Sequence, residues 1–237
     1  MKYVLALFVS LVVFVGCNCT GLSVNLTRSV KTIYQESSPS VFLVKTSAGH
    51  CSGFLITKDT IVTAGHCVEN TDNIVFIFDK YGNEYLAIPY IDDDIKDIAL
   101  MMVLSNEIDD RFVPLSLGEV PVIGERLITI GFPGYSGGLQ VLEVSHLKQI
   151  RNYSNRKLLI SDGIAYPGES GSPVFDERGF VIGVAVGIKP VAGAHKDESI
   201  LVSILDLKEI LGLCSANCWW QKFSITNQET SYFNRKA

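Results

Sequence analysis

Short apolar runs rich in β-branched and aromatic residues, interrupted every few positions by Gly, Asn, Asp or Lys, constrain this chain more than any other feature. Between about 38 and 105 they fall at 41–44, 53–56, 60–63, 74–78, 85–89 and 98–104. Each has the length of a strand, and the intervening residues suit tight antiparallel turns. Six such strands in an open sheet would leave unpaired edges, and closing them into a small barrel removes the edges. A second set follows at 126–131, 140–144, 157–160, 172–175, 180–188 and 200–202. The sequence therefore predicts an all-β chain with two antiparallel six-stranded β-barrels, over 38–105 and 123–203. The connection 106–122 reads as a linker, with Glu107, Asp109, Asp110, Pro114 and Pro121. One convincing helix closes the fold: Ser203 can cap it, and Ile204, Leu207 and Leu211 recur at helical spacing. The remainder to 237 reads as a tail that packs in part through Trp219 and Trp220.

Residues 1–16 stand apart from this pattern. Met1-Lys2, an apolar core from Tyr3 to Val15 and then Gly16 have the plan of a secretory signal. The core is shorter than the roughly 20 apolar residues of a spanning helix. Phe14-Val15-Gly16-Cys17 also resembles the bacterial lipobox, with Phe14 where leucine is usual; that resemblance implies acylation of Cys17 and attachment to a membrane. Two destinations stay open, a secreted protein and a cell-envelope or periplasmic protein anchored by lipid. Residues 17–37 then form a polar tether or pro-segment. The net charge of -5 and the lack of a Lys/Arg cluster give no electrostatic basis for binding nucleic acid.

Of six cysteines, Cys17 and Cys19 belong to the leader region. Cys51 and Cys67 lie at opposite ends of two apolar runs that can pair as a hairpin, and in an exported chain they are expected to form a disulfide. Closing a loop of that size is worth about 3 kcal/mol and steadies the strand end beside His66. Cys214 and Cys218 can close a small loop near the C-terminus. Zinc is the rival use of these four, but Cys51 and Cys67 have the better alternative, so neither metal nor organic cofactor is expected.

The chemistry is concentrated in three places. His66, in Thr63-Ala64-Gly65-His66-Cys67, carries the imidazole that suits a general base. Asp97 opens the apolar run Ile98-Ala99-Leu100, where a carboxylate needs a partner; Asp94 is the second choice. Ser170 lies within Gly168-Glu169-Ser170-Gly171-Ser172-Pro173, a turn that can expose a nucleophile. The same turn can aim the N–H groups of Gly168 and Ser170 at a developing oxyanion. His50, His146 and His195 lack such settings and read as structural or exposed.

These three motifs resemble those of the chymotrypsin-fold, trypsin-like serine peptidases over residues 38–212. The resemblance implies His66 as base, Asp97 as its orienting acid and Ser170 as nucleophile, with protein or peptide as substrate. Cys51-Ser52-Gly53-Phe54 matches the family's cysteine partner of Cys67. The spacings, 31 residues from His66 to Asp97 and 73 from there to Ser170, look more like bacterial glutamyl-endopeptidase and HtrA-type enzymes. No PDZ-like module is expected after the protease unit. Glu169 replaces the aspartate that pairs with a new N-terminus in trypsins, so activation of that kind is not expected. By family register Ile164 occupies the position of the specificity aspartate, with Ala165, Ala185, Val186 and Gly187 lining the rest of the pocket. A small or apolar side chain before the scissile bond is the resulting expectation; Asp162 overturns it if the loop register slips by two. A catalytically inactive peptide-binding protein and an esterase remain alternatives to the serine endopeptidase. The oligomeric state is not readable from the sequence.

Overall fold

The computed structural model describes residues 27–46, 49–69, 71, 74–104, 111–153, 156–187 and 198–212. The leader, Cys17, His195, Cys214, Cys218 and the two tryptophans lie outside the described residues.

Successive side chains of a strand point to opposite faces, and here many strands bury both. In β1 (Val41–Thr46), Phe42 and Val44 fill the first barrel, while Val41 and Leu43 join a cluster shared by the two barrels. In β6 (Ile98–Val103), Ala99 and Met101 point inward and Ile98 and Leu100 enter the shared cluster. This is why both runs are apolar at almost every position. With β2 (Gly49–Leu55), β3 (Thr60–Thr63), β4 (Val75–Phe78) and β5 (Glu84–Asp93) they close an antiparallel barrel in the order β1-β2-β3-β6-β5-β4. Phe42, Tyr85 and Phe112 meet inside it with ring centroids 5.4, 5.9 and 6.2 Å apart.

The second barrel follows the same rule. It comprises β7 (Arg126–Gly131), β8 (Val141–Tyr153), β9 (Arg156–Ser161), β10 (Pro173–Phe175), β11 (Val181–Gly187) and β12 (Ser199–Ser203), closed in the order β10-β11-β12-β9-β8-β7. Leu127, Leu159, Val174 and Leu201 point inward, whereas Ile128, Ile130, Leu158, Phe175 and Val202 face the shared cluster. The architecture is the expected all-β, chymotrypsin-like one, with two closed six-stranded barrels and a short C-terminal helix over 204–212.

Two elements depart from the sequence expectation. A helix, α1 (Val30–Ser37), occupies the stretch read as tether or pro-segment; Ser29 Oγ accepts the Thr32 N–H at 3.0 Å, and Ile33 is fully buried in the shared cluster. Val30, Ile33 and Tyr34 do form one helical face, but two turns is too short for periodicity to stand out. Strand β8 runs to Tyr153 rather than ending near 144. Its outer half pairs with β9 through Tyr153↔Arg156 and has no buried position from Lys148 to Tyr153, so no apolar run marks it.

The C-terminal helix, α2, buries Ile204, Leu207 and Ile210 in the shared cluster. Ser203 Oγ accepts the Leu205 N–H at 3.3 Å, as a cap does. From α2, Glu209 reaches the buried Lys96, with Nζ 2.9 Å from Oε2. The helix thus braces the residue immediately before Asp97. The segment between the barrels also packs: Phe112 is 5% exposed and the Leu115 N–H donates to Leu55 O at 2.8 Å. Phe112→Ala is expected to cost about 3–5 kcal/mol, measured by urea unfolding, because it empties an aromatic site inside the first barrel.

Candidate active site

A 3-10 turn, Gly65–Cys67, follows β3 and carries His66. The expected Cys51–Cys67 disulfide is present and ties this turn to β2. Opposite, Asp97 has φ 57, a left-handed conformation uncommon outside glycine, and its N–H donates to Asp93 O at 2.7 Å. That bend delivers its carboxylate to the histidine. Asp97 Oδ1 lies 2.9 Å from His66 Nδ1 and also accepts the His66 backbone N–H at 3.0 Å. The Asp97 side chain is 3% exposed and that of His66 30%. A ring fastened through Nδ1 keeps Nε2 for proton exchange. Gly65 permits the approach: a Cβ there would lie 3.3 Å from the Asp97 main chain and 2.9 Å from Asp92 Oδ1. Asp94, the second choice, is exposed. The Asp92 carboxyl is pushed up by burial and then by Asp94, Glu69, Asp97 and Asp93 around it.

Ser170 arrives from the second barrel on a turn with two left-handed glycines, Gly168 (φ 97) and Gly171 (φ 87). Glu169 closes the turn on itself: its N–H donates to Tyr166 O at 3.1 Å, and its Oε2 accepts the Tyr166 N–H at 2.8 Å. The Gly171 N–H donates to Ala185 O at 2.6 Å, which fastens the turn to β11. Across the cleft, buried Ser52 of β2 holds it from the first barrel. The Ser52 N–H donates to Ser170 O at 2.8 Å, while its Oγ donates to Gly168 O and accepts the Phe132 N–H, both at 2.9 Å. Thr63 Oγ1 donates to Ser52 O at 2.7 Å. At Gly171 a Cβ would run into Ser52 O and Thr63 Oγ1, so the serine turn lies directly against the segment leading to His66. Sequence reasoning noticed Ser52 within a motif but assigned it no role. Its signal was a hydroxyl at the start of the buried half of β2.

A narrow cavity opens beside Ser170. Ile164, Ala165, Ala185 and Gly187, all anticipated as pocket residues, line it together with Thr129, Glu143, Ser145, Ser161, Glu169 and Ser199. Val186, also anticipated, points to the other face of β11 and is buried in the shared cluster. Asp162 turns toward His146, whose N–H donates to its Oδ1 at 2.7 Å. Burial pushes the Glu169 carboxyl up to about 7, opposed by the Tyr166 N–H and reinforced by Glu143. Burial likewise raises Glu143, a residue the sequence reading did not single out. His66 stands close to both Cys51 and Cys67 in the arrangement of metal ligands, but the two sulfurs are spent on each other.

Two measurements probe this assembly. Ser52→Ala leaves the Phe132 N–H and Gly168 O without that partner, and a stability loss of about 1–3 kcal/mol is expected in urea unfolding. Glu169 binds its proton more tightly folded than unfolded, so its contribution is most favourable below its unfolded value of 4.5 and is lost as pH rises through about 7. Unfolding at pH 5 and pH 8 is expected to show Glu169→Gln gaining stability over the parent at the higher pH.

A family model described as a trypsin-like peptidase domain matches residues 51–184. A serine protease DegP homolog of Plasmodium falciparum (isolate 3D7) is 34% identical over 141 residues, covering 56% of this chain and 16% of that protein. A probable periplasmic serine endoprotease, DegP-like, of Pseudomonas fulva (strain 12-X) is 31% identical over 137 residues, covering 56% of this chain and 28% of that protein. This chain thus spans less than a third of the length of these two relatives. Among solved structures, an inactive form of Rv3671c from M. tuberculosis H37Rv superposes with a TM-score of 0.66 at 20% identity, covering 78% of this chain and 91% of that one. At that identity the likeness concerns the fold.

Proposed function

This chain belongs to the trypsin-like peptidase family, and from that premise we propose that it is a serine endopeptidase in which Ser170, His66 and Asp97 act together. The observation that carries the reading is the buried Asp97 carboxylate held 2.9 Å from His66 Nδ1, on a turn whose Cys67 Sγ lies 3.8 Å from Ser170 O. Ser170 Oγ attacks the scissile carbonyl while His66 takes its proton and passes it to the departing amine. Asp97 orients the ring and offsets the positive charge that forms on it. The N–H groups of Gly168 and Ser170 receive the negative oxygen of the tetrahedral intermediate. Water then hydrolyses the acyl-enzyme with His66 as base.

Glu169 supports a site that needs no freed N-terminus. Its carboxyl is already engaged by the Tyr166 N–H within its own turn, so the nucleophile turn has an internal brace. The substrate is an extended peptide whose main chain pairs with a strand edge. Residues 1–16 direct export, and Cys17 is the point of membrane attachment if it is acylated.

Ser170→Ala is expected to remain folded, by circular dichroism, and to lose casein hydrolysis by about 10⁶ in kcat. Asp97→Asn is expected to lose about 10⁴ through the wrong ring tautomer. Casein cleavage that persists in purified Ser170→Ala protein removes the serine from its role.

A further inference from the structure

The second barrel changes chemistry toward one end. Leu127, Leu159 and Leu201 fill its interior, but the cavity beside Ser170 has Glu143, Ser145 and Ser161 among its lining residues. Gly187 connects that cavity to the nucleophile: a Cβ there would sit 3.2 Å from Ser170 Oγ. Whatever enters is therefore the side chain next to the bond that Ser170 attacks.

Two carboxylates line this space, Glu143 and Glu169, and none of the described lining residues is a lysine, arginine or histidine. Glu169 is engaged with the Tyr166 N–H. Among the described residues Glu143 has a single long contact, 3.5 Å, from the exposed Tyr135 hydroxyl to its Oε1. Burial raises both carboxyls, which is the mark of negative charge short of compensation. Ile164, Ala165, Ala185, Ile200 and Leu201 also line the cavity and suit the hydrocarbon stem of a long side chain, whereas a hydrocarbon tip would strip water from Glu143 and the serines. An acidic one would add a like charge. A cation restores the lost hydration with a charge-assisted hydrogen bond.

We propose that this cavity receives the side chain preceding the scissile bond and that Glu143 makes it select a positively charged one, lysine or arginine. The inference rests on the reading of Ser170 as nucleophile. It moves the source of specificity from position 164, where Ile164 is 48% exposed, to the facing strand β8. The cavity encloses about 20 Å³, so a long side chain enters by displacing Ile164 at the rim. Half-buried Glu143 then meets the charged tip toward the open side.

The test compares fluorogenic peptides that differ only in Lys, Arg, Gln or Leu before the cleaved bond. The Lys and Arg peptides are expected to have kcat/KM at least tenfold above the Gln and Leu peptides, a ratio that Glu143→Gln lowers about tenfold. Glu143→Lys is expected to shift preference to a Glu peptide; thermal melts check that both variants fold. Binding is read without catalysis by titrating the Ser170→Ala protein with fluorescent 4-aminobenzamidine, whose affinity is expected to fall at least tenfold when Glu143→Gln is added. Preferred cleavage of the Leu peptide, or amidinium affinity indifferent to Glu143, overturns the pocket assignment and leaves the endopeptidase intact. Glu143-dependent amidinium binding in a protein that cleaves no peptide removes the nucleophile reading and keeps the cationic pocket.

Discussion

Ser52 joins the two halves of the site. His66 and Asp97 belong to one closed barrel and Ser170 to another, and closure satisfies each barrel's strand edges separately. Alignment across the cleft needs its own bonds. Ser52 supplies three, from its N–H to Ser170 O, from its Oγ to Gly168 O, and from the Phe132 N–H to its Oγ, while Thr63 Oγ1 occupies its carbonyl. All are buried, where an unmade hydrogen bond is costly and a satisfied network is stiff. Gly171 is what lets the serine turn come close enough to be held this way.

The surroundings of Asp97 show a different kind of support. Its left-handed backbone is a conformation that a non-glycine residue keeps only when its neighbours demand it. Here they do: the Asp93 carbonyl takes its N–H, the carboxylate has two donors on His66, and the preceding Lys96 is held by Glu209 from α2. The disulfide fixes the histidine turn from the other side. The C-terminal helix therefore contributes to the site without approaching it.

Legibility followed the range over which each signal acts. Strand positions were readable because burial on alternate or both faces is written into adjacent residues, as in β1 and β6. The polar extension of β8 and the two-turn helix α1 were not, since one faces solvent and the other is shorter than a helical period can reveal. His66, Asp97 and Ser170 were identifiable by local motifs, and Cys51 and Cys67 by spacing. Ser52 and Glu143 were missed for a physical reason: the first acts on Gly168, 116 residues away, and the second faces a cavity that exists only when β8 closes against its neighbours.

By itself the chain determined the class of fold, the residue types able to exchange a proton and the cysteine pair beside them. These are local properties, set by side-chain alternation along a strand and by short turns. Only the tertiary structure decided that Asp97 rather than Asp94 meets the imidazole, that Val186 leaves the cavity while Glu143 enters it, and that Glu169 is braced within its own turn. Each of those outcomes depends on which faces meet after two barrels close, and that is settled by packing between residues far apart in the chain.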